Sequence, residues 1–177
     1  MAIQHDLELV FPAANVPEPI ICAMAREHDV VFNIVSANVS RQQGLFRFML
    51  IGDESIVEAA EQMLREHGVE VSVLNSSPYE GTAPARPRRE VADSNEPTTS
   101  KKLWITFLNE QQHEPITWRM ACRFDVSFDV RQSSTGEKVS IMAILIKGPV
   151  SQVVKAIAFF REQGAEVEPI EKTVIEG

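Results

Sequence analysis

Leu7, Leu9 and Phe11 alternate with Glu8 and Val10, a period of two that lines one face of a strand with apolar side chains. The period then lengthens. Pro17 and Pro19 open a helix, where a missing N–H and a preset φ are tolerated. Ile20, Met24 and the Ala23/Ala25 region form its buried stripe as far as His28. Val30 to Val35 is rich in β-branched and aromatic residues and predicts a second strand. Ser40-Arg41-Gln42-Gln43-Gly44 turns the chain into a third strand, Leu45 to Ile51. A second helix begins at Gly52-Asp53, with Asp53 placed to cap a free backbone N–H. Ile56, Ala60, Met63 and Leu64 recur at helical spacing, and Gly68 ends the helix as a C′ residue. Val69 to Leu74 closes the unit as a fourth strand. The order is β-α-β-β-α-β.

That order occurs twice. Residues 4–74 lie over residues 100–170 without a gap at an offset of about 96 positions, with about 19 of ~71 pairs identical. Pro19-Ile20 meets Pro115-Ile116, Asp29-Val30-x-Phe32 meets Asp125-Val126-x-Phe128, and Gly52 meets Gly148. Leu103–Phe107, Pro115–Phe124, Val126–Val130, Val139–Ile146, Pro149–Gln163 and Ala165–Ile170 are the elements of the second copy. Pro149 takes over the helix start from Asp53 by a preset backbone. The pattern predicts an α+β chain of two tandem ferredoxin-like βαββαβ domains, residues 3–75 and 100–172. Each is expected to carry a four-stranded antiparallel sheet with two helices on one face. A Pro-rich stretch, residues 76–99, joins them and is expected to be an exposed, flexible linker.

Domains of this size bury only about 60% of their unfolded surface, so pairing is a natural remedy. The third strands point the same way. Leu45-Phe46-Arg47-Phe48-Met49-Leu50-Ile51 and Ile141-Met142-Ala143-Ile144-Leu145-Ile146 are almost continuously apolar, whereas a sheet wet on one side should alternate. The outward faces or edges of the two sheets are therefore expected to be covered, by each other or by a second chain. Intramolecular domain pairing or a homodimer satisfies this, and a small ligand fits at such a seam.

Charge narrows the partners. The net charge of −8 and pI of about 5.0 disfavour a phosphate backbone or an anionic membrane surface. No run approaches the ~18 apolar residues of a membrane span, and the N-terminus lacks a signal-peptide design. A cytoplasmic protein, with no nucleic acid and no membrane insertion, is the expectation. Cys22 and Cys122 read as buried reduced thiols, with a disulfide or redox pair as the alternative. Arg86, Arg88 and Arg89 form a basic cluster in the linker, read as solubilising charge offset by Glu80, Glu90, Asp93 and Glu96.

The usual catalytic constellations do not occur in the sequence. His5, His28, His67 and His113 are dispersed, with no two at metal-ligand spacing. There is no G-x-x-x-x-G-K-[ST], no G-x-S-x-G and no cysteine cluster. The loop Pro12-Ala13-Ala14-Asn15-Val16 has no cation to hold a transferring phosphoryl group, as an acylphosphatase of this fold would need. Phe46 and Phe48 stand where RNA-recognition domains stack bases, but the charge and their counterparts Met142 and Ile144 favour core or interface residues. No metal, no cofactor and no enzyme activity are expected.

The segment Val31-Phe32-Asn33-Ile34-Val35-Ser36-Ala37-Asn38-Val39, followed by Gly44-Leu45 and a long third strand, resembles the NIL domain. That is the ACT-like ferredoxin fold at the C-terminus of bacterial methionine ABC transporter ATPases and beside some ferredoxin modules. The Phe11…Pro19-Ile20-Ile21 opening, Gly52 and the Leu64-x-x-x-Gly68-Val69-x-Val71 close fit as well. The second repeat departs: Asp129-Val130 replaces Asn33-Ile34, and Arg131-Gln132-Ser133 replaces Val35-Ser36-Ala37. The resemblance implies a regulatory module that binds an amino acid, methionine or a similar apolar one, at a seam near the second strand. It would act through a protein partner that the sequence does not name. Asn33 would be the polar contact, with Ile34 and Ser36 beside it. Asn supplies a donor and an acceptor, which suits a ligand's carboxylate and ammonium together. The alternative is an architectural dimerisation or protein-interaction module without a ligand.

Overall fold

The structure is a computed structural model that describes residues 1–12, 19–93, 95–108 and 114–170. Pro17, the loop 13–16, His113 and the end of the second domain beyond residue 170 lie outside the described residues. The first repeat comprises β1 (Ala2–Pro12), α1 (Ile20–Glu27), β2 (Val31–Val39), β3 (Gln43–Asp53), α2 (Glu54–Glu66) and β4 (Glu70–Pro78). The second comprises β5 (Thr98–Leu108), α3 (Ile116–Arg123), β6 (Ser127–Thr135), β7 (Val139–Pro149), α4 (Val150–Glu162) and β8 (Glu166–Pro169). The expected α+β pair of βαββαβ units is what the chain forms, and from β1 to α2 every element recurs at the same offset from β5 to α4.

Helix boundaries follow local chemistry. Gly68 and Gly164 have φ of 85° and 90°, a region closed to most L-residues, and each ends its helix as a left-handed C′ residue. Val69 N–H then returns to the Leu64 carbonyl, and Ala165 N–H to that of Phe160. Asp53 occupies the N-cap of α2 without a side-chain cap bond; its carboxylate instead accepts from the amino group of Met1 at 3.0 Å. Pro149 is the N-cap of α4. Gly148 stands where the strand crosses the α3–β6 connection. A Cβ there would lie 2.8 Å from the Asp125 carbonyl oxygen, so no larger residue fits without moving backbone.

The eight strands form one sheet in the order β4-β1-β3-β2-β6-β7-β5-β8. The two repeats meet edge to edge, through antiparallel pairing of Ala37 with Ser133 and Asn38 with Gln132. Ala37 and Ser133 are equivalent positions of the internal repeat, so the pseudo-twofold axis passes through this pair. Two marginal sheets thereby remove one exposed edge each.

The helices cover one face of the sheet. Leu7, Leu9, Phe46, Phe48 and Leu50 are buried there in the first repeat, as are Leu103, Ile105, Met142, Ile144 and Ile146 in the second. Phe32 stacks on Phe48 at 5.3 Å and on Phe128, across the seam, at 6.0 Å. Beside it α1 packs on α3. Arg26 donates to the Val126 carbonyl, and the Cys22 thiol does so at 3.5 Å. Cys22 and Cys122 are free and buried, and burial raises both thiols.

The expectation that the faces or edges of the two sheets are covered by each other is met at the edges, through the β2–β6 pairing. Within the chain, several apolar side chains on the face away from the helices are exposed. In β3, Gly44, Phe46, Phe48 and Leu50 are buried, whereas Leu45 and Arg47 are exposed and Met49 is half-buried. In β7, Ile141 is 41% exposed. The seam covers the edges of the sheets, not their outer faces, so the alternation is present but written largely in apolar residues.

The segment between the repeats follows the helix ends closely. Arg86 donates to the carbonyls of Ala25, Arg26 and His28, at 2.5, 3.2 and 3.2 Å, placing a cation at the C-terminus of α1. Arg89 pairs with Asp125 at 3.0 Å, and Glu90 holds both Arg123 and Lys155. These side chains have specific partners and are more than solubilising charge. Their targets are distant in sequence, which is why composition alone did not reveal them.

Candidate functional site

Strand pairing between β2 and β6 is confined to two residue pairs. On either side of the axis the edges diverge, and each opening is roofed by helix residues of the opposite repeat. The result is two cavities related by the internal repeat. Each is completed by the second strand of the other half.

The first cavity has walls from the first repeat, Phe11, Ile21, Val39 and Phe46 among them, with Pro19 and Gly44. Phe128, Asp129 and Val130 of β6 complete it, around a cavity of about 20 Å³. The second has walls from the second repeat: Phe107, Ile116 and Met142, with the polar residues Glu114, Thr117, Ser133, Thr135 and Ser140. Asn33 and Ile34 of β2 complete it, around a cavity of about 30 Å³. Asn33 and Ile34 are both half-buried. Thr135 Oγ1 donates to the Val35 carbonyl at 2.6 Å, fastening one rim to the other.

Ser36 is not brought to this cavity. A bulge at Val35 interrupts the β2–β3 register between Ile34 and Ser36, and an extra residue on one strand reverses the side on which the next falls. Ser36 lies opposite Arg47 and lines a shallow depression on the open face with Glu8, Asn38 and Gln132. β6 carries the same irregularity between Val130 and Gln132. The residues that sequence reasoning missed are Glu114, Thr117 and Ser140, on the far wall. Their only signal is position, flanking Pro115-Ile116 and opening the third strand.

The two cavities differ in polarity. Asp129 occupies the position of Asn33, and burial pushes its carboxyl above the usual range, against the opposing pull of Arg131 and Lys147. Arg131 meets it at 3.1 Å. A carboxyl raised by folding favours the native state when protonated, and that contribution is lost as pH rises through the raised value. Asp129→Asn is therefore expected to melt higher than wild type at pH 7. The difference should shrink as pH falls towards the ordinary aspartate range, about 4. Thermal melts of both proteins from neutral to acidic pH check this; a lower melting temperature for the variant at pH 7 would contradict it.

Among the described residues, no group of three or more His, Cys, Asp or Glu side chains is arranged to hold a metal ion. Among the same residues no helix is long and apolar enough to cross a membrane.

Comparison with known proteins agrees with the repeat. The NIL domain model matches residues 5–73 and again residues 102–169. The methionine import ATP-binding protein MetN 2 of Listeria innocua serovar 6a is 32% identical over 72 residues, covering 38% of this chain and 21% of that protein. Its namesake in Listeria monocytogenes serotype 4b is 31% identical over 72 residues, with the same coverage. Among solved structures, aminoacylhistidine dipeptidase from Vibrio alginolyticus aligns with 96% of this chain and 39% of its own. Its TM-score is 0.42 and its identity 12%, too low to transfer anything from that enzyme. With a match in each repeat, the chain belongs to the NIL domain family and carries the domain in tandem.

Proposed function

We propose that the chain is a non-catalytic regulatory module that binds an apolar amino acid in the cavity completed by Asn33 and Ile34, and signals through a protein partner. The observation that carries this is the crossed construction of the seam. The Asn33-Ile34 edge of the first repeat closes a cavity whose other walls belong to the second, so a ligand there touches both halves and tightens their association. The walls suit the ligand: Phe107, Ile116 and Met142 offer an apolar surface, while Asn33, Thr117 and Ser140 offer hydrogen bonds. Methionine is the first amino acid to test, because the relatives that share the domain are named for its import.

Calorimetric titration with methionine and the other apolar amino acids is the test. Asn33→Ala is expected to weaken binding by about ten- to hundredfold, the effect of losing hydrogen bonds to a charged ligand, about 1.5–3 kcal/mol. Asp129→Ala should leave methionine binding nearly unchanged. Unaltered affinity in Asn33→Ala would place the ligand elsewhere.

The architectural reading has its own support. The β2–β6 pairs and the Phe32–Phe128 stack join the halves directly. Absence of heat with every amino acid at millimolar concentration would leave that reading standing.

A further inference from the structure

We infer that the outer face of α4 docks a second copy of this chain, seated antiparallel on the same helix. This rests on no ligand at the seam. The exposed stripe of α4 is Val150, Val154 and Ala158, spaced i, i+4, i+8 along the helix. Val150 is 39% and Val154 60% exposed. The fold does not require apolar residues there. The equivalent positions of α2 in the internal repeat are Glu54, Glu58 and Gln62, all exposed. Two helices in matching places on matching sheets thus show water a polar stripe in one repeat and an apolar stripe in the other. The chain beside α4 adds to it: Glu90 pairs with Lys155 at 3.0 Å, and the next residue, Val91, is 79% exposed.

The stripe is complementary to itself. Side chains four apart form a ridge that packs into the groove beside the same ridge of another helix. About a twofold axis at Val154, Val150 of one copy meets Ala158 of the other, large against small. The two ends of the helix carry opposite charge. At the N-terminal end the Glu96 carboxylate accepts from the Ser151 backbone N–H and, at 2.7 Å, from its hydroxyl. At the C-terminal end Arg161 is exposed and, three residues after Ala158, falls on the same stripe. Antiparallel pairing points each Arg161 towards the Glu96 of the other copy, a contact made twice, and opposes the two helix dipoles. Lys155 lies about 100° round the helix from Val154 and is already paired with Glu90. The α2 face cannot pair in this way, because an axis at Glu58 sets two carboxylates against each other. A contact along about 20 Å of helix falls short of the ~800 Å² per partner of stable complexes. The dimer is therefore reversible, forming at micromolar concentrations and above.

Sedimentation equilibrium of the full chain from about 1 μM to about 1 mM should show reversible dimers. Val154→Glu installs the residue type that α2 carries at the matching position, and it should weaken association about tenfold or more. Arg161→Glu should weaken it too, by setting like charge against Glu96. A short bis-maleimide should join Val154→Cys to its own copy and leave Glu58→Cys uncrosslinked; Cys22 and Cys122 are buried and do not compete. A wild type that stays monomeric up to about 1 mM overturns the proposal. So does a dimer that Val154→Glu leaves as strong as before, or equal cross-linking of Val154→Cys and Glu58→Cys. Should Val154→Glu fail to fold, the two cysteine variants decide by the same criterion.

Discussion

Phe32→Ala is expected to lower the unfolding free energy by about 3–5 kcal/mol, the range for deleting a buried phenylalanine ring. Phe32 is 1% exposed and lies between Phe48 of its own repeat and Phe128 of the other. Removing it opens a void in the core, and it ends two ring contacts, each worth about 0.5–1.5 kcal/mol beyond area burial. The position of the void matters more than its size. Phe160→Ala, equally buried but within the second repeat's own core and in edge contact with Phe107 and Phe159, should cost a similar amount. It should not uncouple the halves. Trp104 and Trp118 both belong to the second repeat, so tryptophan fluorescence reports on that half while circular dichroism reports on both. In urea, the two signals should coincide for Phe160→Ala and separate for Phe32→Ala. A loss below about 1 kcal/mol in Phe32→Ala, or coincident transitions there, would show that the seam does not depend on this ring.

The units themselves were legible in the sequence because each is built from local periodicities. Alternation at Leu7, Leu9 and Phe11, helical spacing at Ile56, Ala60, Met63 and Leu64, and Gly68 as a stop are all confirmed in the elements formed. Boundaries were less visible where polarity changed without the backbone doing so. Val130 looked like the end of β6, but the strand runs to Thr135 through Arg131, Gln132 and Ser133. It continues because β7 pairs with it on one side and β2 on the other. β4 likewise extends to Pro78, paired with the start of β1 through a bulge.

The candidate site was legible only in part. Asn33 and Ile34 were singled out by resemblance, and the structure sets both on one cavity. Ser36 was grouped with them by adjacency, but the Val35 bulge sends it to the open face. The crossed walls depend on which edges meet, a choice made by contacts about 96 residues apart and invisible to any window of local pattern. Asp129 reads differently once its surroundings are known. In the sequence it is a diverged asparagine. In the structure burial raises its carboxyl against the opposing pull of Arg131 and Lys147.

His5→Ala should be among the most damaging single changes away from the seam, costing about 1–3 kcal/mol, as leaving a buried polar group without its hydrogen-bond partner does. His5 Nδ1 lies 2.8 Å from Glu61 Oε2, joining β1 to α2, and the two residues are 9% and 3% exposed. Neither alternation nor helical spacing announced the pair; Glu61 merely interrupts an apolar stripe, and His5 falls on the buried side of β1. Truncating the imidazole leaves a carboxyl group sealed under the helix, where the lost hydrogen bond cannot be replaced by bulk water. The second repeat shows that the fold does not require this device. Its equivalents are Lys101, exposed, and Ile157, half-buried, and the corresponding helix still packs on its sheet. Replacing both partners together, by His5→Leu with Glu61→Leu, should therefore recover most of the stability, because a well-packed apolar pair of similar volume is often neutral or better. Urea denaturation of the wild type, both single variants and the double variant forms a complete cycle. A double variant as unstable as the sum of its parts would mean that the pair contributes through volume alone and that the hydrogen bond is incidental.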